Sequence, residues 1–122
     1  MTRRGDGDQA PASAVTARQD GVDLVRLSGE IDLANADAIA EQVLVDTAAA
    51  RAVLLDLSAV GFLDSAGVRL LDRLVGVYED RGSAVRLLVA PRGAVLLTLN
   101  LCAFRGELLA TDLNRAVASL AG

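Results

Sequence analysis

Three carboxylates and one hydroxyl are the groups of this chain whose types and positions best suit chemistry. Glu30 and Asp32 stand one residue apart in Ser28-Gly29-Glu30-Ile31-Asp32, and Asp64-Ser65 lies near the end of Leu57-Ser58-Ala59-Val60-Gly61-Phe62-Leu63-Asp64-Ser65-Ala66-Gly67. Paired carboxylates can serve acid–base catalysis or a hard-cation site. Nothing in the sequence sets their separation, and a solvated loop accounts for them better than a metal site does. Asp64-Ser65 falls where a buried strand gives way to a helix. Free backbone N–H groups at such a junction favour negative charge; an ordinary N-cap, worth about 1 kcal/mol, accounts for the same residues. Gly67, in the first turn, costs helix stability relative to alanine. A glycine there makes sense if another backbone or a phosphate must approach closely.

The missing residue types narrow the chemistry further. The 122 residues include no histidine, and all 12 basic residues are arginine. A Ser–His–Asp arrangement, a P-loop lysine and a Schiff-base lysine are therefore excluded, and arginine, which stays protonated, replaces none of them. These gaps argue against an enzyme. The single cysteine, Cys102, excludes an internal disulfide and a multi-cysteine zinc site. Its apolar neighbours suggest a buried thiol. No metal and no cofactor is expected. The net charge of −4 disfavours direct nucleic-acid binding. No apolar run approaches the roughly 18 residues of a membrane span, and no apolar run follows Arg3 and Arg4 as in a secretory signal. A cytoplasmic location is the resulting expectation.

The elements that must hold these residues follow from periodicity. Residues 1–13 are small and polar and read as a disordered tail ahead of one domain over 14–122. A short strand around Val15–Arg18 pairs with Val22–Leu27 across the hairpin signal Asp20-Gly21. Residues 34–48 carry a helical stripe of Ala36, Ile39, Ala40, Val43 and Thr47, with Asp32 placed to cap it. Ala52–Leu57 reads as a central strand buried on both faces. A second helix over Ala66–Asp80 has Val68, Leu71, Val75 and Tyr78 as its core stripe. Its apolar arc is wide enough that Leu70 or Val77 falls at the margin of a partner surface, or else the helix is simply more enclosed. Ala84–Val89 is a further strand. Pro91 is suited to open a helix that ends near Asn100, a residue that tolerates left-handed angles. Glu107–Ala110 reads as an edge strand, and Thr111 as the cap of a final helix with Leu113, Val117 and Leu120 on one face. The order is ββαβαβαβα, an α/β fold with parallel strands at its centre.

Leu27-Ser28-Gly29-Glu30-Ile31-Asp32 and Asp56-Leu57-Ser58 through Leu63-Asp64-Ser65-Ala66-Gly67 together resemble the STAS domain family, and within it the bacterial anti-sigma factor antagonists. The second motif, D-L-S-x-V-x-x-L-D-S-x-G between strand and helix, is fairly specific, and the element order fits over about residues 15–121. The resemblance implies a mixed sheet with helices packed on one side. It implies that the unphosphorylated protein binds an anti-sigma factor, often a serine kinase, and so frees a sigma factor. Phosphorylation of Ser65 ends that binding and a serine phosphatase restores it. The surface expected to meet the partner comprises Glu30, Asp32, Asp64, Ser65, Ala66, Gly67, Arg69 and Leu70. A monomer or weak dimer is expected. Two positions depart from the family pattern: Ala66 stands where many relatives have a second serine or threonine, and Asn100-Leu101 where many have Gly-Leu. The competing implication is a non-phosphorylated STAS scaffold subunit of a transporter or stress-sensing complex.

Overall fold

A computed structural model describes residues 12–122. Residues 1–11 of the expected tail lie outside the described range, and Ser13 already belongs to a strand. The elements are β1 (Ser13–Gln19), β2 (Val22–Ile31), α1 (Ala36–Asp46), β3 (Ala52–Leu63), α2 (Ser65–Asp80), β4 (Ala84–Leu88), α3 (Ala94–Leu101), a 3-10 turn (Gly106–Leu108), β5 (Leu109–Ala110) and α4 (Leu113–Ala121). The sheet order is β1-β2-β3-β4-β5. β1 and β2 are antiparallel, and every later neighbour is parallel. Asp20 and Gly21 make the expected two-residue turn, both with positive φ (53° and 81°), as the twist of a tight hairpin requires.

The sheet is mixed, with α1, α2 and α3 packed on one face as expected. On β3, Val53, Leu55 and Leu57 enter the larger core, with Ile39 and Val43 of α1, Leu71 and Val75 of α2, and Val95 and Leu99 of α3. The fourth helix takes the other face. Ala52 and Leu54 of β3, Val22 of β2 and Leu88 of β4 meet Ala116 and Val117 of α4 in a smaller, separate cluster. A strand buried on both sides needs a cover on both sides, which is why β3 is apolar at successive positions.

β2 and β3 both run further than their local patterns indicate. Ser28–Ile31 is strand, not loop, and β3 continues past Leu57 to Leu63. The reason is non-local: Ser28 pairs with Ala59, Gly29 with Val60, Glu30 with Phe62 and Ile31 with Leu63, so the extra residues satisfy one another's backbone groups. Gly29, with φ of 85°, accommodates the register shift between Gly29 and Glu30.

Other boundaries move for local reasons. Pro91 does not open α3; it occupies the second position of a turn closed by Gly93 N–H to Ala90 O at 3.3 Å. The left-handed residue after α3 is Ala103 (φ 56°), not Asn100, and Phe104 N–H closes the end on Leu99 O at 2.9 Å. Cys102 is exposed, not buried, because α3 turns only Val95 and Leu99 fully inward. Asp112, not Thr111, caps α4, accepting from Arg115 N–H at 2.9 Å. Expected edge strand Glu107–Ala110 begins instead as the 3-10 turn, leaving two residues of strand.

One buried polar chain joins the far ends of α1 and α2. Thr47 Oγ1 donates to Val43 O at 2.7 Å, which leaves the Tyr78 hydroxyl as donor to Thr47 Oγ1, also at 2.7 Å. Burial pushes the Tyr78 phenol above its ordinary pKa of 10.0.

Candidate functional site

The ends of β2 and β3 lie side by side, and that register builds the site. Ile31 faces Leu63 in the parallel ladder, so the chain leaves both strands at the same edge. Asp64 N–H donates to Ile31 O at 3.4 Å and ties the two exits together. In parallel α/β sheets this edge, at the carboxyl ends of the strands, is where ligands are generally received.

The β2–α1 connection is held by its own side chains. Asp32 Oδ1 accepts from Ala34 N–H at 2.9 Å, and Asn35 Oδ1 accepts from Asp32 N–H at 3.1 Å. Asn35 Nδ2 donates to Glu30 O at 2.9 Å. Asp32 thus shapes the turn before α1 and does not reach the α1 N-terminus as a side-chain cap; no such cap bond forms at Asn35. Asn35, which no local sequence signal singles out, is the residue that spans this turn.

At the β3–α2 junction Asp64 is extended (φ −95°, ψ −171°), and its carboxylate accepts from Gly67 N–H at 3.0 Å. This is an N-cap. Ser65 is the first helical residue and is exposed. Ser58 Oγ donates to Asp56 at 2.6 Å and Ser28 Oγ pairs with Ser13 Oγ at 2.7 Å, whereas the Ser65 hydroxyl has no hydrogen-bond partner among the described residues. The Ser65 and Ala66 N–H groups lack intrahelical acceptors, as at any helix start.

The remaining expected contact residues divide by burial. Glu30, Asp32 and Asp64 are half-buried, and Ser65 and Arg69 are exposed. Ala66 (7% exposed), Gly67 and Leu70 (4%) are buried, so they shape the surface more than they present side chains on it. Leu70 belongs to the larger core. The close approach at Gly67 is internal: a Cβ there would overlap Leu63 Cδ1, lie 2.9 Å from Leu63 Cγ and 3.2 Å from Ile31 O. The glycine lets the strand end and the helix start pass, and no partner is needed to explain it. Glu30, Asp32 and Asp64 form no metal-binding cluster, nor does any other group of three His, Cys, Asp or Glu among the described residues.

Two apolar residues outside the expected set stand exposed at the β2 and β3 exits. Leu33 follows β2 and is 77% exposed; Phe62, next to the end of β3, is 49% exposed. The available signals were an apolar residue inside a polar turn, and one of only two phenylalanines in the chain. Between α1 and α2 a groove of about 290 Å3 is lined by Leu33, Ala36, Asp37, Ala40, Ala66, Arg69, Leu70 and Arg73. No helix among the described residues is long and apolar enough to cross a membrane.

Known proteins resemble this chain in sequence and fold. The anti-sigma-F factor antagonist RsfB of Mycobacterium tuberculosis is 36% identical over 86 residues, 68% of this chain and 66% of that protein, just under two thirds of its length. The crystal structure of an anti-sigma factor antagonist from Mycobacterium paratuberculosis superposes with a TM-score of 0.72 at 26% identity, over 92% of this chain and 96% of that one. The antagonist SpoIIAA in its unphosphorylated form shares the fold (TM-score 0.71, 17% identity, 88% and 94% covered). The family model described as STAS domain matches residues 13–119, and with the β2–β3 exit and the capped Asp64-Ser65 junction in place, the chain belongs to the STAS domain family.

Proposed function

We propose that this chain is an anti-sigma factor antagonist switched at Ser65. In the unphosphorylated form it binds an anti-sigma factor and so releases a sigma factor. The anti-sigma factor acts as the serine kinase that modifies Ser65, and a serine phosphatase resets the cycle. The chain works in the cytoplasm as a regulatory binding protein, not a catalyst, with no cofactor. The relative from M. tuberculosis and the structure from M. paratuberculosis, both named as antagonists, support the partner class.

The observation that carries the switch is the Ser65 hydroxyl: exposed, unpartnered among the described residues, and first in a helix of 16 residues. A phosphate adds about −1.5 to −2 charges, which a helix N-terminus accepts without refolding. A partner surface fitted to a neutral hydroxyl then meets a bulky dianion beside Asp64, Glu30 and Asp32. Steric exclusion and unmatched desolvation oppose binding. A loss of about 3–4 kcal/mol, a few hundredfold or more in affinity, suffices for a switch.

The test uses a purified anti-sigma factor kinase from the same cell, with calorimetry for binding and mass spectrometry for modification. Ser65→Ala is expected to bind and to resist phosphorylation; Ser65→Glu is expected to stay folded and bind at least a hundredfold more weakly. Phosphate on Ser58 or Ser28 in place of Ser65, or wild-type affinity in Ser65→Glu, would refute the mechanism.

A further inference from the structure

The groove between α1 and α2 has a composition that specifies its occupant. Its floor is apolar, made by buried Ala36, Ala40, Ala66 and Leu70, and the exposed Leu33 also lines it. Its α2 rim carries two guanidinium groups, Arg69 and Arg73. Arg73 reaches Asp37 across the groove at 4.0 Å, but Asp37 is almost fully exposed and the pair is loose. Arg69 has no carboxylate within 4.0 Å among the described residues. An apolar floor beneath an uncompensated cation fits a side chain that is apolar and lies beside a carboxylate. The volume, at the low end for ligand pockets, suits one or two side chains of a docking segment.

Arg69 also stands in a second relation. It follows Ser65 by four residues on α2, so the two exposed side chains are neighbours on one helix face. A phosphate on Ser65 would lie within reach of the Arg69 guanidinium, and such pairs form strong charge-assisted hydrogen bonds. Arg69 therefore stands both on the rim of the groove and one helical turn from Ser65.

We infer that this groove receives a partner segment presenting an apolar side chain next to a carboxylate, and that phosphorylated Ser65 disables the groove by drawing Arg69 off its rim. The inference rests on the reading of Ser65 as the phosphorylation site. It adds an intramolecular route by which one modification reaches a surface a helical turn away, beyond direct collision with the partner.

The experiment uses the whole chain with phosphoserine installed at position 65 during synthesis, so it stands whether or not a cellular kinase modifies that residue. Phosphorus NMR gives the second pKa of the phosphate in the wild-type background and in Arg69→Gln. Pairing is expected to hold that pKa lower with Arg69 present, by about 0.5 unit or more. Phenylbutyrate serves as the groove probe, followed by the amide resonances of Leu33, Ala40 and Leu70. Saturable shifts are expected in the unphosphorylated chain, at least about fivefold weaker with phenylbutyramide, with Arg69→Gln, or with phosphoserine at 65, and phosphorylation is expected to add no further loss in Arg69→Gln. Equal phosphate pKa values in the two backgrounds would overturn the capture of Arg69. Undiminished phenylbutyrate binding in the phosphorylated chain, or equal shifts from inorganic phosphate alone, would overturn the assignment of the groove. Failure of a kinase to modify Ser65 would instead remove the proposed function and leave these titrations untouched.

Discussion

Gly67→Ala separates two accounts of the same glycine. From helix propensity alone, alanine in the first turn of α2 is expected to stabilise by about 1 kcal/mol. The packing reverses the sign. The added Cβ overlaps Leu63 Cδ1, lies 2.9 Å from Leu63 Cγ and sits 3.2 Å from Ile31 O. Leu63 is 4% exposed and packed in the larger core, so rotating its end away displaces other core side chains. Ile31 O also accepts from Asp64 N–H, so pushing it back loosens the joint between the two strand exits. Overpacking of this kind costs about 1–3 kcal/mol. With two obstacles that yield poorly, the upper part of that range applies, and after the helix gain a net loss of about 1–2 kcal/mol remains. Urea unfolding should show a lower midpoint at unchanged slope. In a Leu63→Ala background the obstructing atoms are gone and the same substitution should become neutral or stabilising, a coupling of about 1–2 kcal/mol. A Gly67→Ala protein more stable than wild type, or an equal cost in both backgrounds, would show that the contact with Leu63 is not the reason for the glycine.

Asp64→Ala removes the N-cap of α2 and should cost about 1 kcal/mol in urea unfolding, with Asp64→Asn retaining most of the stability. Ala103→Gly relieves the only left-handed alanine among the described residues and should raise the melting temperature by the equivalent of about 0.5–1 kcal/mol. Tyr78→Phe leaves buried Thr47 without its donor and should cost about 1–2 kcal/mol. The folded chain holds the Tyr78 phenol above 10.0, whereas the unfolded chain releases that proton near 10. Stability contributed by the protonated phenol is therefore complete below pH 10 and declines as pH rises through the folded value. As the sole tyrosine, it can be followed by tyrosinate absorbance against unfolding, and that alkaline decline should vanish in Tyr78→Phe.

The fold is legible in the sequence where signals are local. The nearly continuous apolar run Ala52–Leu57, the Asp20-Gly21 turn, the stripe on α2 and the Asp64-Ser65 junction each depend on residues within a few positions of one another. It is not legible where structure depends on partners far along the chain. Ser28–Ile31 and Ser58–Leu63 look like turns because they hold glycine and serine; they are strands because each pairs with the other across about 30 residues. What crowds Gly67 is hidden for the same reason, since Leu63 and Ile31 converge on it only once that ladder exists. The helical period of Leu113, Val117 and Leu120 reveals that α4 has an apolar side, but not which face of the sheet it covers. Cys102 followed the apolarity of its neighbours, which α3 in fact leaves facing water: Leu101 is 78% exposed.

Because β3 has a large core on one side and a small one on the other, the molecule need not open all at once. α4, nine residues long, is too short to hold its helix without the sheet. Lifting it uncovers Val22, Ala52, Leu54 and Leu88, and leaves everything beneath α1 and α2 packed. Detachment of such a unit requires less free energy than global unfolding. Fluctuation is thereby absorbed on a slack side, while the taut side, where Ser65 and the groove lie, keeps its shape between encounters. A partner docking there meets a surface already formed and pays little to order it.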